Sequence, residues 1–255
     1  MPMHDDASRS VPLYYNDILP EGNAQRQPLV LCLDTSSSMA DEPITMLNRA
    51  LQDWVRELRA DINLTNSVEV ALITFGGRQV CTWKGTTMLT DTADPDAFVA
   101  AHAFGAPHLQ ASGVTLMTDA LRTAVQLVAA RKAALRAAGH LYYRPQICLI
   151  TDGQPTDTEG RLTDDWQQIV PMLTDQQEKK KFRLFAIGVG GISPHGEQVL
   201  RAIAPRYYAR LQGFPFRQVL QMLSASAGTQ DKGDGEEVYQ KIFARFTTQR
   251  SAWNT

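Results

Sequence analysis

Residues 29–38 read LVLCLDTSSS, an unbroken apolar run from Leu29 to Leu33 that stops at Asp34 and passes into a string of hydroxyls. Apolar side chains on both alternating sets describe a strand covered on both faces, as in a parallel sheet flanked by helices. The covering helix follows directly. Pro43 stands at a favourable first helical position, and Ile44, Leu47, Leu51, Val55 and Leu58 recur at three- and four-residue intervals. A buried strand, a polar turn and an amphipathic helix form the opening unit of an α/β layered domain.

The alternation continues to about residue 226. Residues 68–75 (VEVALITF) predict a second buried strand, and Gly76-Gly77 turns it into a short antiparallel return strand over 79–83, expected at the sheet edge. A long helix is predicted over 118–138, stopped by Gly139, then a buried strand over 146–151 (QICLIT). Beyond it come a helix over 166–181 ending in Lys179-Lys180-Lys181, a strand over 182–189, a short helix over 198–203, an edge strand over 207–211 and a helix over 215–226. The expected fold is a mostly parallel central sheet of about six strands with one antiparallel edge strand and helices on both faces. Residues 1–27 read as an N-terminal extension, 28–226 as the domain, and 227–255 as a flexible tail. In that tail Val238, Ile242 and Phe246 recur every four residues beside Tyr239 and Phe243, a spacing that suits a short amphipathic helix, expected to pack on its own domain or fray, with docking into a partner as the alternative.

Length and composition narrow the function. At roughly 150 residues per domain, 255 residues suit one large domain with extensions. Lys and Arg number 25 against 27 Asp and Glu, for a net charge of −2, which gives no long-range field to gather nucleic acid or anionic lipid. Nucleic acid is therefore not expected as a partner. The longest apolar stretches fall short of the about 20 residues that span a bilayer, and residues 1–10 lack the charged-then-apolar order of a signal peptide. A soluble, cytoplasmic protein without membrane insertion is expected, and as a single domain without a dimer helix, a monomer. Cys32, Cys81 and Cys148 are odd in number and never spaced as CxxC, and His4, His102, His108, His140 and His195 are scattered, so no zinc site or disulfide framework is encoded.

The chemistry gathers at strand ends. Asp34, Ser36 and Ser38 alternate in the turn after the first strand, Thr115 lies in the loop before the long helix, and Asp152 follows LIT at the end of the 146–151 strand. Ligands of open α/β sheets gather at the carboxyl ends of the strands. These side chains offer oxygen donors only, which select Mg²⁺, with Mn²⁺ or Ca²⁺ as alternatives, over zinc or copper. Five such donors leave a coordination position that an outside carboxylate can take, and a partner's Asp or Glu is its natural occupant. The bland alternative is helix capping by Ser38, Asp41, Thr115 or Thr118.

These residues resemble the metal-ion-dependent adhesion site of von Willebrand factor A (VWA) domains, in the same order along the chain. LDTSSSMADEPI, VALITFG, LITDGQPTD and FAIGVG are similar to the corresponding segments of bacterial tellurium-resistance-associated, TerY-like VWA proteins. The resemblance covers about residues 28–226. It implies a Rossmann-like fold in which Ser36, Ser38 and Thr115 ligate the ion through hydroxyls while Asp34 and Asp152 bind it directly or through water. It also implies cytoplasmic stress-response or defence partners, a protein kinase or a PP2C-type phosphatase. Two positions depart from the family pattern. Ser37 replaces a glycine between the serines, and Val114 replaces a glycine before the threonine, where a need for positive φ would displace Thr115.

No His, Lys or Cys accompanies the cluster in sequence as base or nucleophile, so a non-catalytic recognition module is expected. The alternatives are a Mg²⁺-dependent hydrolase or phosphatase with Asp34 as nucleophile, and a structural scaffold whose metal site stays vacant. The first normally requires DxD, where this chain has Asp34-Thr35-Ser36.

Overall fold

The computed structural model describes residues 25–227 and 236–248. The sheet is built from β1 (Gln27–Asp34), β2 (Val68–Gly76), β3 (Gln79–Lys84), β4 (Thr87–Met88), β5 (Val99–Ala100), β6 (Gln146–Thr151), β7 (Arg183–Gly188) and β8 (Tyr208–Arg210). Its order is β4-β3-β2-β1-β6-β7-β8, with β5 paired to β2. Strands β2, β1, β6, β7 and β8 run parallel, while β3 and β5 pair antiparallel with β2, and β4 antiparallel with β3. The mostly parallel α/β architecture is thus as the periodicity predicts. The count differs, with eight strands in place of about six, and the antiparallel margin is wider than one edge strand. The extra strands β4 and β5 are two residues long, too short to leave a periodic signal.

The helices are α1 (Glu42–Ala60), α2 (Ile62–Ser67), α3 (Met117–Ala137), α4 (Trp166–Glu178), α5 (Pro194–Ile203), α6 (Phe216–Ala227) and α7 (Glu236–Thr248). Alternation along β1 divides the core. Leu29, Leu31 and Leu33 face α1, α6 and α7 together with Leu47, Leu51, Trp54, Val219 and Leu223. Val30 and Cys32 face α3, α4 and α5 with Leu121, Ala124, Leu173 and Leu200. Every residue of β1 is buried, as expected of a central strand covered on both sides. Cys32 and Cys148 sit on adjacent strands but in opposite layers of the core.

Polar groups inside the fold are paired across long sequence distances. Arg131 of α3 makes a bidentate contact to Glu69 of β2 at 2.9 and 2.8 Å, both side chains being buried. Trp54 Nε1 donates to Ser224 Oγ at 2.7 Å and joins α1 to α6. In α7, Tyr239 and Phe243 are buried against the core, and the Arg183 guanidinium lies 3.4 Å from the centre of the Tyr239 ring. Residues 1–24, most of the expected N-terminal extension, lie outside the described residues, as do residues 228–235 and 249–255 of the expected tail. No helix among the described residues is long and apolar enough to cross a membrane.

Candidate metal centre

Strands β1 and β6 are neighbours, and their continuations diverge to opposite faces, β1 into α1 and β6 toward α4. This is a topological switch point, and the crevice lies at the carboxyl ends of the two strands. Asp34 is the last residue of β1, and Asp152 is the first after β6. Both reach into that crevice. Asp34 is fully buried, its Oδ1 accepting from the Ser36 amide at 2.8 Å and its Oδ2 from Thr151 Oγ1 at 2.5 Å. The Ser36 and Ser38 hydroxyl oxygens lie 3.1 Å apart, and Ser38 Oγ donates to Asp152 Oδ1 at 2.7 Å. Thr115 joins them on the side of Gly153, where a Cβ would lie 3.3 Å from Thr115 Oγ1 and 3.7 Å from Asp34 Oδ2. Asp34, Ser36, Ser38, Thr115 and Asp152 therefore form one cluster, with Ser38 and Asp152 at its accessible edge.

Backbone pairing holds the three loops in place. Ser112 N donates to Thr35 O at 2.8 Å, Ser37 N to Gly113 O at 3.1 Å, and Val114 N to Gly77 O at 3.1 Å. Thr115 N donates to Thr156 Oγ1 at 2.8 Å, and Thr156 N returns a bond to Thr115 O at 3.0 Å. The left-handed backbone of this loop falls on Gly113, at φ +70°, where a Cβ would stand 2.3 Å from Gly77 O. Val114 is not among the positive-φ residues, so the loop demands nothing that valine resists. Ser37 likewise sits in the 3-10 turn Ser37–Met39 with ordinary backbone.

Capping does not account for the cluster. Ser36, Asp41 and Leu116 occupy the cap positions of the 3-10 turn, α1 and α3, and none makes a side-chain cap bond. Thr118 instead donates to Asp165 Oδ1 at 2.9 Å. Asp41 is exposed, with φ 65°, an uncommon conformation for a residue other than glycine. Asp157 is turned into its own hairpin, held below the usual carboxylate range by the Arg161 amide and guanidinium.

Burial pushes the Asp34 carboxyl up to about 6, against the partial offset of bonds from Ser36 and Thr151, with the nearby charge of Asp152 adding to the rise. Asp152 is raised by burial as well, offset by Ser38. The groups facing the two carboxylates are hydroxyls and amides, and a cation between them would relieve both burial and mutual repulsion. Among the described residues no group of three or more His, Cys, Asp and Glu stands where it could hold a metal, so the candidate set is this hydroxyl and carboxylate cluster. Its donors fit a small hard divalent ion such as Mg²⁺. Thr151, Gly153 and Thr156 were not legible as site residues. The string Thr151-Asp152-Gly153-Gln154-Pro155-Thr156 held the only signal, a threonine at the strand end and another in the turn.

The von Willebrand factor type A domain model matches residues 29–214. No curated protein sequence matches the chain significantly. Among solved structures, the open conformation of the pilus adhesin SpaC from Lactobacillus rhamnosus GG is similar at 16% identity and TM-score 0.56, over 88% of this chain and 31% of that one. The vWF domain of the type V pili tip protein Mfa5 from Porphyromonas gingivalis is similar at 12% identity and TM-score 0.49, over 83% of this chain and 99% of that one. Proximal thread matrix protein 1 from the mussel byssus, in a form with a zinc-occupied MIDAS motif, is similar at 17% identity and TM-score 0.45, over 81% of this chain and 46% of that one. The chain thus spans less than half the length of SpaC and of the mussel protein.

Proposed function

The chain belongs to the von Willebrand factor type A domain family, and from that premise we propose that it is a Mg²⁺-dependent protein-recognition module whose partner supplies an Asp or Glu to the metal. The observation that carries this reading is the convergence of Asp34, Ser36, Ser38, Thr115 and Asp152, with Ser38 and Asp152 at the open edge. Ser36, Ser38 and Thr115 would hold the ion by their hydroxyls, and Asp34 and Asp152 directly or through water. Neutral hydroxyls leave a bound dication short of anionic donors, and its chemistry there is to attract one more carboxylate. Mn²⁺ or Ca²⁺ could serve in the same donor set.

The module is read as non-catalytic. Asp34, the nucleophile of the hydrolase alternative, is fully buried, with both oxygens accepting hydrogen bonds. The likeness of residues 33–44, 70–76, 149–157 and 185–190 to TerY-like proteins extends the proposal to a cytoplasmic setting in bacterial stress response or defence. A protein kinase or a PP2C-type phosphatase is the partner class in that setting.

The test is capture of such a partner by the full chain with Mg²⁺, after EDTA, and with Asp34→Ala. Binding in Mg²⁺ that is lost in the other two arms is expected; equal binding in all three refutes the proposal. Calorimetric Mg²⁺ titration separates a vacant scaffold, for which Asp152→Ala would abolish no heat.

A further inference from the structure

A groove of about 460 Å³ lies between the first half of α1 and the start of α6, lined by Met46, Arg49 and Asp53 on one side and by Phe214, Pro215 and Arg217 on the other. It adjoins the candidate metal centre. Gly190, at φ +62°, separates the two: a Cβ there would lie 2.9 Å from Phe214 Cζ and 3.6 Å from Asp152 Cβ. Gly190 N also donates to Gly213 O at 2.7 Å, which fixes the loop carrying Phe214 beside the loop carrying Asp152.

The groove is amphipathic, and its charges are unequally satisfied. Met46 is 40% exposed, and Phe214 is half-buried, so both offer apolar surface. Asp53 is already paired with Arg56 of its own helix, and Arg217 shares Glu57 at 2.9 Å. Arg49 has no ion-pair partner among the described residues. The amino end of α6 opens into the same space and adds the positive end of its dipole. An occupant with apolar and anionic groups matches this lining.

We propose that the groove seats the flank of the same partner segment that reaches the metal: an extended acidic peptide stretch with one carboxylate on the ion, an apolar side chain between Met46 and Phe214, and a second carboxylate at Arg49. This rests on the metal-recognition reading and adds partner specificity to it. The metal accepts any accessible acid, whereas the groove selects by what lies next to that acid. Arg rather than Lys at position 49 suits the task, because its planar fork can pair with a carboxylate in bidentate fashion.

The experiment uses fluorescently labelled twelve-residue peptides with a central Glu and the full chain, read by anisotropy in Mg²⁺ and in EDTA. One series places a Leu-Asp pair at successive positions before and after the Glu, a second replaces it by Leu-Lys, and a third by Gly-Ser. In Mg²⁺ one register of the Leu-Asp series is expected to bind about tenfold more tightly than the Gly-Ser peptide, a factor in keeping with one charge-assisted hydrogen bond. Arg49→Glu should invert the order of the Asp and Lys series while leaving calorimetric Mg²⁺ binding unchanged, and Arg49→Lys should weaken the preference without inverting it. Mg²⁺-dependent binding that ignores the flank, or a preference that Arg49→Glu does not move, overturns the groove and leaves the metal reading standing. Flank-selective binding that persists in EDTA overturns the metal reading instead. Absence of binding by every peptide overturns both.

Discussion

Thr151 Oγ1 donates to Asp34 Oδ2, and the same hydroxyl accepts from Gly153 N at 3.0 Å, so the end of β6 holds both the buried acid of β1 and the turn that presents Asp152. The relationship makes Thr151 a positioning residue of the candidate metal centre. Thr151→Val keeps the shape and removes the donor. We expect it to fold and to lose about 10- to 100-fold in Mg²⁺ affinity, the usual cost of removing a partner that orients a ligand. Thr151→Ser should retain most of the affinity. Calorimetric titration checks both, and wild-type affinity in the valine variant would show that the hydroxyl plays no part.

Metal binding should weaken in mild acid. Asp34 ligates only when ionised, and burial pushes its carboxyl up to about 6. Below that value affinity should fall by about tenfold per pH unit, as the proton competes with the ion. The sign for the metal-free protein is opposite. A carboxyl raised in the folded state above its ordinary 3.8 binds more protons folded than unfolded, so its penalty is present above about 6 and is relieved as pH falls toward 3.8. Titrations at pH 7.5 and 5.5, with thermal unfolding in EDTA at the same values, test both statements. Equal affinity at the two pH values would contradict the first.

Gly113→Ala should damage both stability and metal binding. The substitution needs positive φ and brings a Cβ to 2.3 Å from Gly77 O, a backbone atom that cannot step aside. A cost above about 1 kcal/mol is expected, together with displacement of Thr115. Val114→Gly, one residue on, relieves no strain and should leave Mg²⁺ affinity within about twofold of wild type. Chemical denaturation and calorimetry of the pair distinguish a backbone requirement at 113 from one at 114.

Removing Arg131 should destabilise the fold, and its effect should be coupled to Glu69. Arg131→Met leaves the buried Glu69 with only Arg26, whose Nε is 3.8 Å away. A loss toward the lower end of about 3–5 kcal/mol is expected, because a buried charge is left poorly compensated. Because Glu69 also faces the buried Arg26, Glu69→Gln carries a cost of its own, but that cost should be smaller in the Arg131→Met background than in the wild type. Equal costs in the two backgrounds by urea unfolding would show that the pair is not coupled in this way.

Addition of Mg²⁺ at about 100 times its dissociation constant should stabilise the fold by about 2.7 kcal/mol, since only the folded chain assembles the donors. EDTA should reverse the shift, and Asp152→Ala should abolish it. A melting temperature indifferent to Mg²⁺ would mean that the cluster does not bind it.

The sequence was most legible where one short segment carries its own signal. Residues 29–33 are apolar on both alternating sets, so a doubly covered strand follows from local periodicity, and the three- and four-residue spacing from Ile44 to Leu58 makes the next helix equally plain. Donor chemistry was legible for the same reason: Asp34, Ser36 and Ser38 announce themselves within five consecutive positions, and Asp152 abuts a buried strand. Strands β4 and β5 and helix α2 were not legible, because two to six residues hold too few repeats of any period.

By itself, then, the sequence determined the order of the longer strands and helices, the oxygen character of the candidate ligands and the strand ends that carry them. The tertiary structure alone decided that Ser38 meets Asp152, that Thr151 braces Asp34, that Gly113 and not Val114 bears the backbone twist, and that Phe214 borders the same site. The physical reason is range. Periodicity and side-chain chemistry act among neighbours along the chain, whereas each of these contacts exists only after β1, β6 and the 112–115 loop have been brought together by burial of the two core layers.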